Sequence, residues 1–500
     1  MNLEQLGPAL LGGGAVVLLA VLGVRFAGRL GVPGLLLYLG MGLALGWALP
    51  TDEPIDPETA AAVGYAALVL ILAHGGLTTR ASALRPVLLP SIALATVGIA
   101  VSVAAVAVPL IMIFDLDTQS AVLLAAVLAA TDAAAVFAVL RSTNVSARLK
   151  NLLEGESGFN DAPVVVLVTV IASGGLDSQP WLIPLLVIGE LLGGAAVGIA
   201  IGFATRWLMP RVALPAVGLY PIAIVAALVM TYGVADFVHS SGFMAVYVAA
   251  ILLGSAPNLP HRKAVIGFSD GLSWVAEIGL FVMLGLLAQP DRLPESVGIA
   301  LVAAGVLVLF ARPLAAVVAL VPLRIPLREV GFVSFAGLRG AVPIVFAAIP
   351  LGLGVPGAEV VFDTTFIVVL VLTLVQSPAI PWVARRLKVD EPEQPDELDV
   401  DVAPLDDMDA IVIGLDVGEG SRLIGVFLRE LALPEGAVVS LVLRHGGSLP
   451  PRMETRLKAG DRLVVVAPQS MRGDVLARLD EVSSYGRLGR WTASEPSEEE

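Results

Sequence analysis

Apolar segments alternate with short polar ones along the first 388 residues of the chain. A membrane-spanning helix needs about 20 predominantly apolar residues. Segments of this kind, separated by Pro, Gly and charged residues, predict a polytopic α-helical membrane protein with thirteen transmembrane helices. The predicted spans are 8–24, 32–49, 60–77, 86–113, 119–140, 150–173, 182–207, 214–235, 241–256, 264–289, 296–321, 329–351 and 361–384.

Basic residues are concentrated in alternate loops between these spans. Cytoplasmic loops of membrane proteins are enriched in Lys and Arg, and the opposite set of loops contains only Arg292 as a basic residue. The alternation predicts a multi-pass protein of the bacterial plasma (inner) membrane, with the N-terminus outside and the C-terminus in the cytoplasm. The basic residues of the predicted cytoplasmic loops are Arg25, Arg29, Arg80, Arg85, Arg141, Arg148, Lys150, Arg206, Arg211, Arg262, Lys263, Arg324, Arg328, Arg385, Arg386 and Lys388.

Composition agrees with this class and divides the chain. Hydrophobic residues make up 57% of the sequence and charged residues 15%, which is too apolar for a soluble protein. Residues 1–388, the predicted transmembrane domain, are nearly neutral, with 19 Lys and Arg against 21 Asp and Glu, whereas residues 389–500 contain 11 against 23. The absence of cysteine excludes disulfides, thiol nucleophiles and thiolate metal sites.

Asp132, Glu156, Asp161 and Arg339 are charged residues that each lie inside a long apolar run. Charges in a membrane interior are costly and are usually functional. With a rise of about 1.5 Å per residue, the fifth, sixth and twelfth spans bring these residues to a similar depth. We therefore expect them to belong to one ion pathway.

The fifth and twelfth spans are predicted to be interrupted at that depth. Gly337, Gly340 and Pro343 weaken the helix in the twelfth span, and Thr131 and Asp132 can hydrogen-bond freed backbone groups in the fifth. The two spans cross the membrane in opposite directions, as members of an inverted repeat do. Paired broken helices at the midplane are typical of a transporter site.

The sixth span provides two adjacent rows of oxygen-bearing side chains. Glu156 and Asn160 are four residues apart, as are Ser157 and Asp161, so each pair lies on one helix face. Oxygen ligands suit monovalent cations, and competition between a proton and a cation for Asp161 would couple their fluxes. We expect Arg339 to pair with Glu156, because an unpaired guanidinium in hydrocarbon is too costly.

These motifs resemble the monovalent cation:proton antiporter-1 family, in its NhaP-like branch. The resemblance covers roughly residues 10–388, through Thr131-Asp132, the segment 154–161 and the segment 337–343. It implies an NhaA-like antiporter fold with inverted repeats and two broken, crossing helices. It also implies a secondary transporter, not an enzyme, with no cofactor besides the transported ions.

The resemblance also assigns roles to individual residues. Asp161 is implied to be the shared carrier of the proton and the cation, and Arg339 to stabilise Glu156. Asn160, directly before the carrier, is associated in the family with electroneutral, one-for-one exchange. The implied ligands of the monovalent cation are Asp161, Asp132, Thr131, Ser157 and Glu156.

Three further segments, 271–274, 281–287 and 347–350, resemble the potassium/proton subgroup of this family. They favour potassium over sodium as the transported cation. Glu277 departs from the subgroup, in which we expect an uncharged polar residue at this position.

The acidic C-terminal region is predicted to contain a small cytoplasmic domain. Residues 389–409 contain ten acidic residues, three prolines and no basic residue, which predicts an extended linker. Residues 410–482 are predicted to form an α/β domain, and residues 483–500 to be disordered. The expected strands are 410–415, 437–443 and 463–466, and the expected helices are 421–431 and 470–480.

Three patterns of this domain resemble the TrkA-C type of regulatory domain: Glu419-Gly420-Ser421, Leu428-Arg429-Glu430-Leu431 and the segment 460–466. Such domains dimerise, and some bind regulatory nucleotides, including cyclic dinucleotides. No residue here identifies a ligand. For the whole protein we expect a homodimer in membrane lipid, without a nucleic-acid partner.

The favoured interpretation is an antiporter that works by alternating access, and two other classes stay open. The regulatory tail alone would also fit a ligand-gated potassium channel, although nothing resembles a carbonyl-lined selectivity filter. Asp132 and Asp161 would also fit the catalytic dyad of an intramembrane aspartyl hydrolase. That reading leaves Ser157, Asn160 and Arg339 without a task.

Overall fold

The computed structural model describes residues 3–30, 34–48, 56–132, 135–136, 139, 143, 145–178, 180–390, 400–405, 410–418, 421–444 and 447–485. The chain forms two compact units, Met1–Asp390 and Glu391–Glu500. The first unit is built from helices, and the second from one β-sheet and a terminal helix.

Helices occupy each of the thirteen segments predicted from the apolar pattern. They are α1 (Leu3–Leu30), α2 (Gly34–Ala48), α3 (Pro57–Thr78), α4 (Ala81–Phe114), α5 (Thr118–Ala129), α6 (Ala147–Ala172), α7 (Ile183–Leu208), α8 (Leu219–Phe237), α9 (Gly242–Gly254), α10 (Arg262–Leu287), α11 (Leu293–Leu323), α12a (Leu327–Ala336), α12b (Ala341–Gly352) and α13 (Ala358–Leu387). Within the described ranges, seven helices are long and apolar enough to cross a membrane, and the bent pair α12a–α12b would be an eighth span. The number of thirteen crossings stays a prediction.

The helices of the first unit pack in two groups. One group, the scaffold, contains α1–α3 and α7–α10; the other, the core, contains α4–α6 and α11–α13, and α12b of the core packs against both α13 and α3. Glycines allow close contact inside the scaffold: a Cβ added at Gly194 or Gly198 of α7 would lie 2.3 Å from the carbonyl oxygen of Ser241 or Ala245, respectively. Small residues permit this approach of helix backbones in membranes.

The predicted interruptions in the fifth and twelfth segments are confirmed. Helix α5 ends where Ala130 adopts an extended conformation, and α12a is separated from α12b by a bend of 55° at 337–340. The two breaks meet, because the backbone N–H of Asp132 donates to the carbonyl oxygen of Leu338 at 2.9 Å. The core is therefore organised around a crossing of two broken helices.

Two core helices also contain a π turn near their middle. These turns are Leu94–Gly98 in α4 and Leu307–Ala311 in α11. A π turn inserts an extra residue and rotates the side chains that follow it relative to a regular α-helix. Arg312 is the first residue after the turn in α11.

The second unit contains a five-stranded antiparallel sheet. Its strands are β1 (Val400–Leu405), β2 (Ala410–Asp416), β3 (Val438–Arg444), β4 (Gly447–Leu449) and β5 (Asp461–Pro468), in the spatial order β1-β2-β5-β3-β4. Helix α14 (Arg472–Tyr485) buries Val475 and Leu479 in the same apolar cluster as Ile413 and Leu463 of the sheet.

Three details of the predicted C-terminal region are wrong. Residues 400–405 are not linker but an edge strand paired with β2, because the ladder satisfies their backbone groups. Segment 421–431 is not an α-helix: Gly425 has a φ of +88°, and its N–H donates to the carbonyl oxygen of Leu457 at 2.8 Å. Helix α14 also extends to Tyr485, beyond the predicted end of the domain. The rest of the linker (391–399 and 406–409), Glu419-Gly420 and 486–500 lie outside the described residues.

Candidate ion-binding site

Asp132 joins the two broken helices at their crossing. Its Oδ1 accepts a hydrogen bond from the backbone N–H of Ala135 at 3.1 Å, and its Oδ2 accepts one from Ala341 at 2.7 Å. These N–H groups belong to the first turns after the two breaks, where the helix dipole is positive. One buried carboxylate therefore caps both helix starts. Gly340 allows this approach, since a Cβ there would lie 2.1 Å from Oδ2 of Asp132.

Arg339 has the complementary position at the ends of the preceding half-helices. Its Nε donates to the carbonyl oxygen of Leu128 in α5 at 3.2 Å, and its Nη1 donates to that of Gly337, which follows α12a, at 2.5 Å. The hydroxyl of Thr373 donates to the Arg339 carbonyl at 3.0 Å. A cation at the C-terminal ends of helices opposes their negative dipole ends. Arg339 therefore completes the neutralisation of the crossing.

The predicted ion pair between Glu156 and Arg339 is wrong. Glu156 pairs with Arg312, whose Nη1 lies 2.5 Å from Oε1 and whose Nη2 lies 3.3 Å from Oε2. The side chains of Glu156 and Arg312 are 3% and 4% exposed, so each compensates a charge that would otherwise be buried alone. Sequence reasoning missed Arg312, although an arginine within the apolar run 296–321 was a visible signal of the same kind as Arg339.

The α6 residues and Thr131 form a polar cluster beside the crossing. The hydroxyls of Thr131 and Ser157 are hydrogen-bonded at 3.0 Å, and Nδ2 of Asn160 donates to Oγ1 of Thr131. Asp161 is buried, and its Oδ1 has no hydrogen-bond partner among the described residues. An acceptor oxygen without a partner in such a place is an available ligand for a proton or a cation.

A small cavity brings the two aspartates together. It has a volume of about 30 Å³, and its walls include Asp132, Asp161, Glu154, Thr79 and Tyr247. A cavity of about 10–15 Å³ on this measure already holds one water. The space therefore suits a single small ion with little water.

The cavity does not include every residue predicted for it. Thr131, Ser157 and Asn160 contact one another beside it, whereas both oxygens of Glu156 are directed to Arg312. Glu156 thus has the geometry of a supporting residue. Tyr247 was not predicted; a lone tyrosine in an apolar helix gives no signal in one sequence. Glu277, the departure from the subgroup, is buried in α10.

Comparison with known proteins places this chain in a family. The family model "Sodium/hydrogen exchanger, transmembrane" matches residues 15–386. The K(+)/H(+) antiporter NhaP2 of Shewanella sp. (strain MR-4) is 34% identical over 479 residues, which cover 94% of this chain and 83% of the relative. The chain belongs to the sodium/hydrogen exchanger family. This membership agrees with the resemblance found in the sequence motifs.

Other relatives of this exchanger differ in the cation named. The K(+)/H(+) antiporter NhaP of Alkalimonas amylolytica is 32% identical over 94% of this chain and 83% of its own length. The Na(+)/H(+) antiporter NhaS2 of Synechocystis sp. (strain PCC 6803) is 25% identical over 71% of this chain and 66% of its own length.

The fold also matches solved structures, and the C-terminal region matches a second family model. The sodium proton antiporter MjNhaP1 from Methanocaldococcus jannaschii at pH 8 matches with a TM-score of 0.66 and 23% identity, covering 77% of this exchanger and 100% of that chain. This match shows a common fold. The TrkA-C domain model matches residues 412–479. The exchanger is thus a cation/proton antiporter with a TrkA-C domain, and neither the channel nor the hydrolase interpretation gains support.

Proposed function

We propose that this exchanger transports potassium across the membrane in exchange for protons, with sodium as a secondary substrate. Asp161 is the proposed carrier of both the proton and the cation. One observation supports this most strongly: Asp161 combines burial, a carboxylate oxygen without a hydrogen-bond partner among the described residues, and a position on the cavity wall. When Asp161 is protonated, it is neutral and a poor cation ligand. When it is ionised, it attracts a monovalent cation. Because Asp161 binds either a proton or a cation but not both, the proton flux and the cation flux are coupled.

The neighbouring residues complete a site for a monovalent cation. Thr131 and Ser157 supply hydroxyl oxygens, and Asp132 supplies a second carboxylate on the same cavity. Both oxygens of Asp132 already accept backbone hydrogen bonds from two helix starts. These bonds hold its carboxylate in a fixed position on the cavity wall while the occupancy of Asp161 alternates.

The proposed exchange is electroneutral. Asn160, the neighbour of Asp161, is an amide whose Nδ2 donates to Thr131, so it does not titrate. The α6 cluster then carries one proton or one cation per cycle, and no net charge moves.

Potassium is favoured over sodium by the relatives. Those at 32–34% identity over 94% of this chain are named K(+)/H(+) antiporters, whereas the relative named for sodium is 25% identical. The oxygen ligands of the site are compatible with either cation.

Alternating access would move the core against the scaffold. The crossing carries its own compensating charges, Asp132 at two helix starts and Arg339 at two helix ends. The pair of Glu156 and Arg312 also lies within the core. The core can therefore shift as one body without separating a buried ion pair, which is how inverted-repeat transporters expose a site to each side.

The proposal also covers the cellular location of the exchanger, its oligomeric state and its regulation. The loop charges favour the bacterial plasma membrane, with the N-terminus outside and the C-terminus in the cytoplasm. We expect a homodimer in which the TrkA-C domains of two chains associate and respond to a regulatory nucleotide. Deletion of residues 391–500 should then abolish any effect of such a ligand on the exchange rate.

Reconstituted vesicles test the proposed carrier. Vesicles with an imposed pH gradient and a trapped pH indicator should lose the gradient when potassium is added, and Asp161→Asn should abolish this response. Glu190→Gln is the matched control, because Glu190 is a partly buried carboxylate of α7 outside the site. Asp161→Asn with near-normal exchange would contradict the proposal.

A further inference from the structure

A second cavity lies at the end of α7, beside the loop between α9 and α10. Its volume is about 390 Å³, and its walls include Arg206, Arg211 and Asn258 between Pro210 and Pro260. This size falls in the range of about 300–1,000 Å³ that is typical of ligand sites. The cavity belongs to the scaffold and shares no lining residue with the ion site.

The cavity has an excess of positive charge. Neither Arg206 nor Arg211 forms an ion pair with any of the residues described. The segments 203–218 and 254–263, which surround the cavity, contain no Asp or Glu. Such a concentration of one sign attracts an anion.

The guanidinium of Arg211 is held in place. Its Nη1 donates to the carbonyl oxygen of Trp207 at 2.5 Å, and its Cζ lies 4.4 Å from the centroid of the Trp207 ring. An arginine has five N–H donors, so the donors not used for this carbonyl remain for a ligand. A guanidinium fork matches the oxygens of a phosphate group.

The loop that forms one wall is fixed before any ligand arrives. The Tyr220 hydroxyl donates to the carbonyl oxygen of Val212 and accepts from the N–H of Leu214, both at 3.2 Å. The Tyr220 ring also packs against the His261 ring, with 4.8 Å between centroids and 50° between the ring planes. A preformed cavity reduces the entropy lost when a ligand binds.

An apolar surface continues from the cavity along α7. Phe203 and Trp207 are 52% and 60% exposed, and Leu208 is exposed beside them. Tryptophan is enriched where membrane helices meet lipid head groups, and basic pockets between helices at this level bind acidic heads. We propose that this cavity binds the phosphate of an anionic phospholipid, with Arg206 and Arg211 on the head group and the acyl chains along Phe203 and Trp207. The proposed lipid site does not depend on which cation the exchanger transports.

Lipid-dependent stability of the full-length protein in detergent tests the proposal. Phosphatidylglycerol, added against phosphatidylcholine, should raise the midpoint of thermal unfolding. In the variant Arg206→Gln/Arg211→Gln, the concentration of phosphatidylglycerol needed for half the shift should rise by about 30-fold, since each basic residue near a membrane surface contributes about 1 kcal/mol. The control Arg324→Gln/Arg328→Gln removes equal charge from exposed positions between α11 and the first turn of α12a and should respond as the unmodified protein does.

A second variant and a second ligand complete the test. Asn258→Asp introduces a carboxylate into the cavity wall at an exposed position, and it should weaken the effect of phosphatidylglycerol without removing an arginine. The proposal is overturned if the Arg206/Arg211 variant and the Arg324/Arg328 control respond alike. It is also overturned if inorganic phosphate alone gives the full stabilisation, because the site would then be for a free anion.

Discussion

Asp132 and Arg339 neutralise opposite ends of the same crossing helices. Asp132 accepts from the first turns that follow the two breaks, and Arg339 donates to carbonyls at the ends of the two helices that precede them. A broken helix in a membrane leaves backbone groups that must find partners within the protein. Two charged side chains meet this requirement here, and Asp161 is left available for transport.

The ion pair of Glu156 with Arg312 can be tested by a double-mutant cycle. Glu156→Gln and Arg312→Gln should each destabilise the protein by about 3 kcal/mol or more, because each leaves an uncompensated buried charge. The double variant should be less destabilised than the sum of the two. A second cycle, which combines Glu156→Gln with Arg339→Gln, serves as the control and should give a smaller interaction energy. Thermal unfolding in detergent measures the stability of all variants. Stronger coupling of Glu156 to Arg339 would refute the pairing.

Gly340→Ala should inactivate exchange while the protein still folds. The added Cβ would lie 2.1 Å from Oδ2 of Asp132, so the carboxylate must leave the N–H of Ala341 and the start of α12b loses its cap. The rate of potassium-driven proton flux should fall at least about tenfold, equivalent to about 1.4 kcal/mol in the barrier. Gly279→Ala in α10 is the control, since its Cβ would meet no atom within 4 Å. Equal rates of proton flux in the Gly340→Ala and Gly279→Ala variants would show that the contact of Asp132 with the start of α12b is not needed for exchange.

Asn160→Asp should convert exchange from electroneutral to electrogenic. The new carboxylate would lie beside Asp161 and could carry a second proton, while the hydrogen bond from Nδ2 to Thr131 is lost. On a supported membrane, a potassium step should give no transient current with the unmodified protein and a clear current with the variant. A current of equal size in both proteins would contradict the proposed stoichiometry.

Asp461 links the stability of the TrkA-C domain to pH. Burial alone would raise its pKa, but the Arg444 side chain, which donates from Nε at 2.7 Å and from Nη2 at 2.8 Å, and the Lys458 N–H hold the pKa below its usual value. The folded pKa is depressed, so this stabilisation is present above the unfolded pKa of about 3.9 and is lost as pH falls through the folded pKa.

Asp461→Asn should therefore destabilise the domain at neutral pH by about 2–4 kcal/mol and have little effect at strongly acidic pH. Limited proteolysis of the full-length protein across this pH range measures the difference. Exposed Asp416, which lies 3.7 Å from Arg462, provides the control Asp416→Asn, for which we expect no more than about 0.5 kcal/mol. A loss for Asp461→Asn that did not diminish with acidification would contradict the linkage.

The sequence predicted what depends on local geometry. The spacing of Ser157 and Asp161 on α6 follows from helical periodicity, and the break of α12 follows from its glycines. The partner of Glu156 depends on tertiary structure: two arginines were available, and Arg312 is positioned by the π turn that precedes it in α11. Such a turn has no clear signature in a single sequence.

The C-terminal region failed prediction for a similar reason. Strand β1 was hidden in an acidic segment, because edge pairing with β2 outweighs its unfavourable composition. The segment around Gly425 has a helix-like pattern but bonds instead to Leu457, far along the chain. In both cases, backbone pairing with another segment of the chain overrides local propensity.

Competition at Asp161 is tested most directly by the pH dependence of the potassium KM. If one carboxylate binds either a proton or the cation, protons compete with potassium, and each unit of acidification below the pKa of the site should raise the KM by about tenfold. The maximal rate at saturating potassium should change far less. A potassium KM that stays constant across this range, while only the maximal rate falls, would show that the proton and the cation use separate sites.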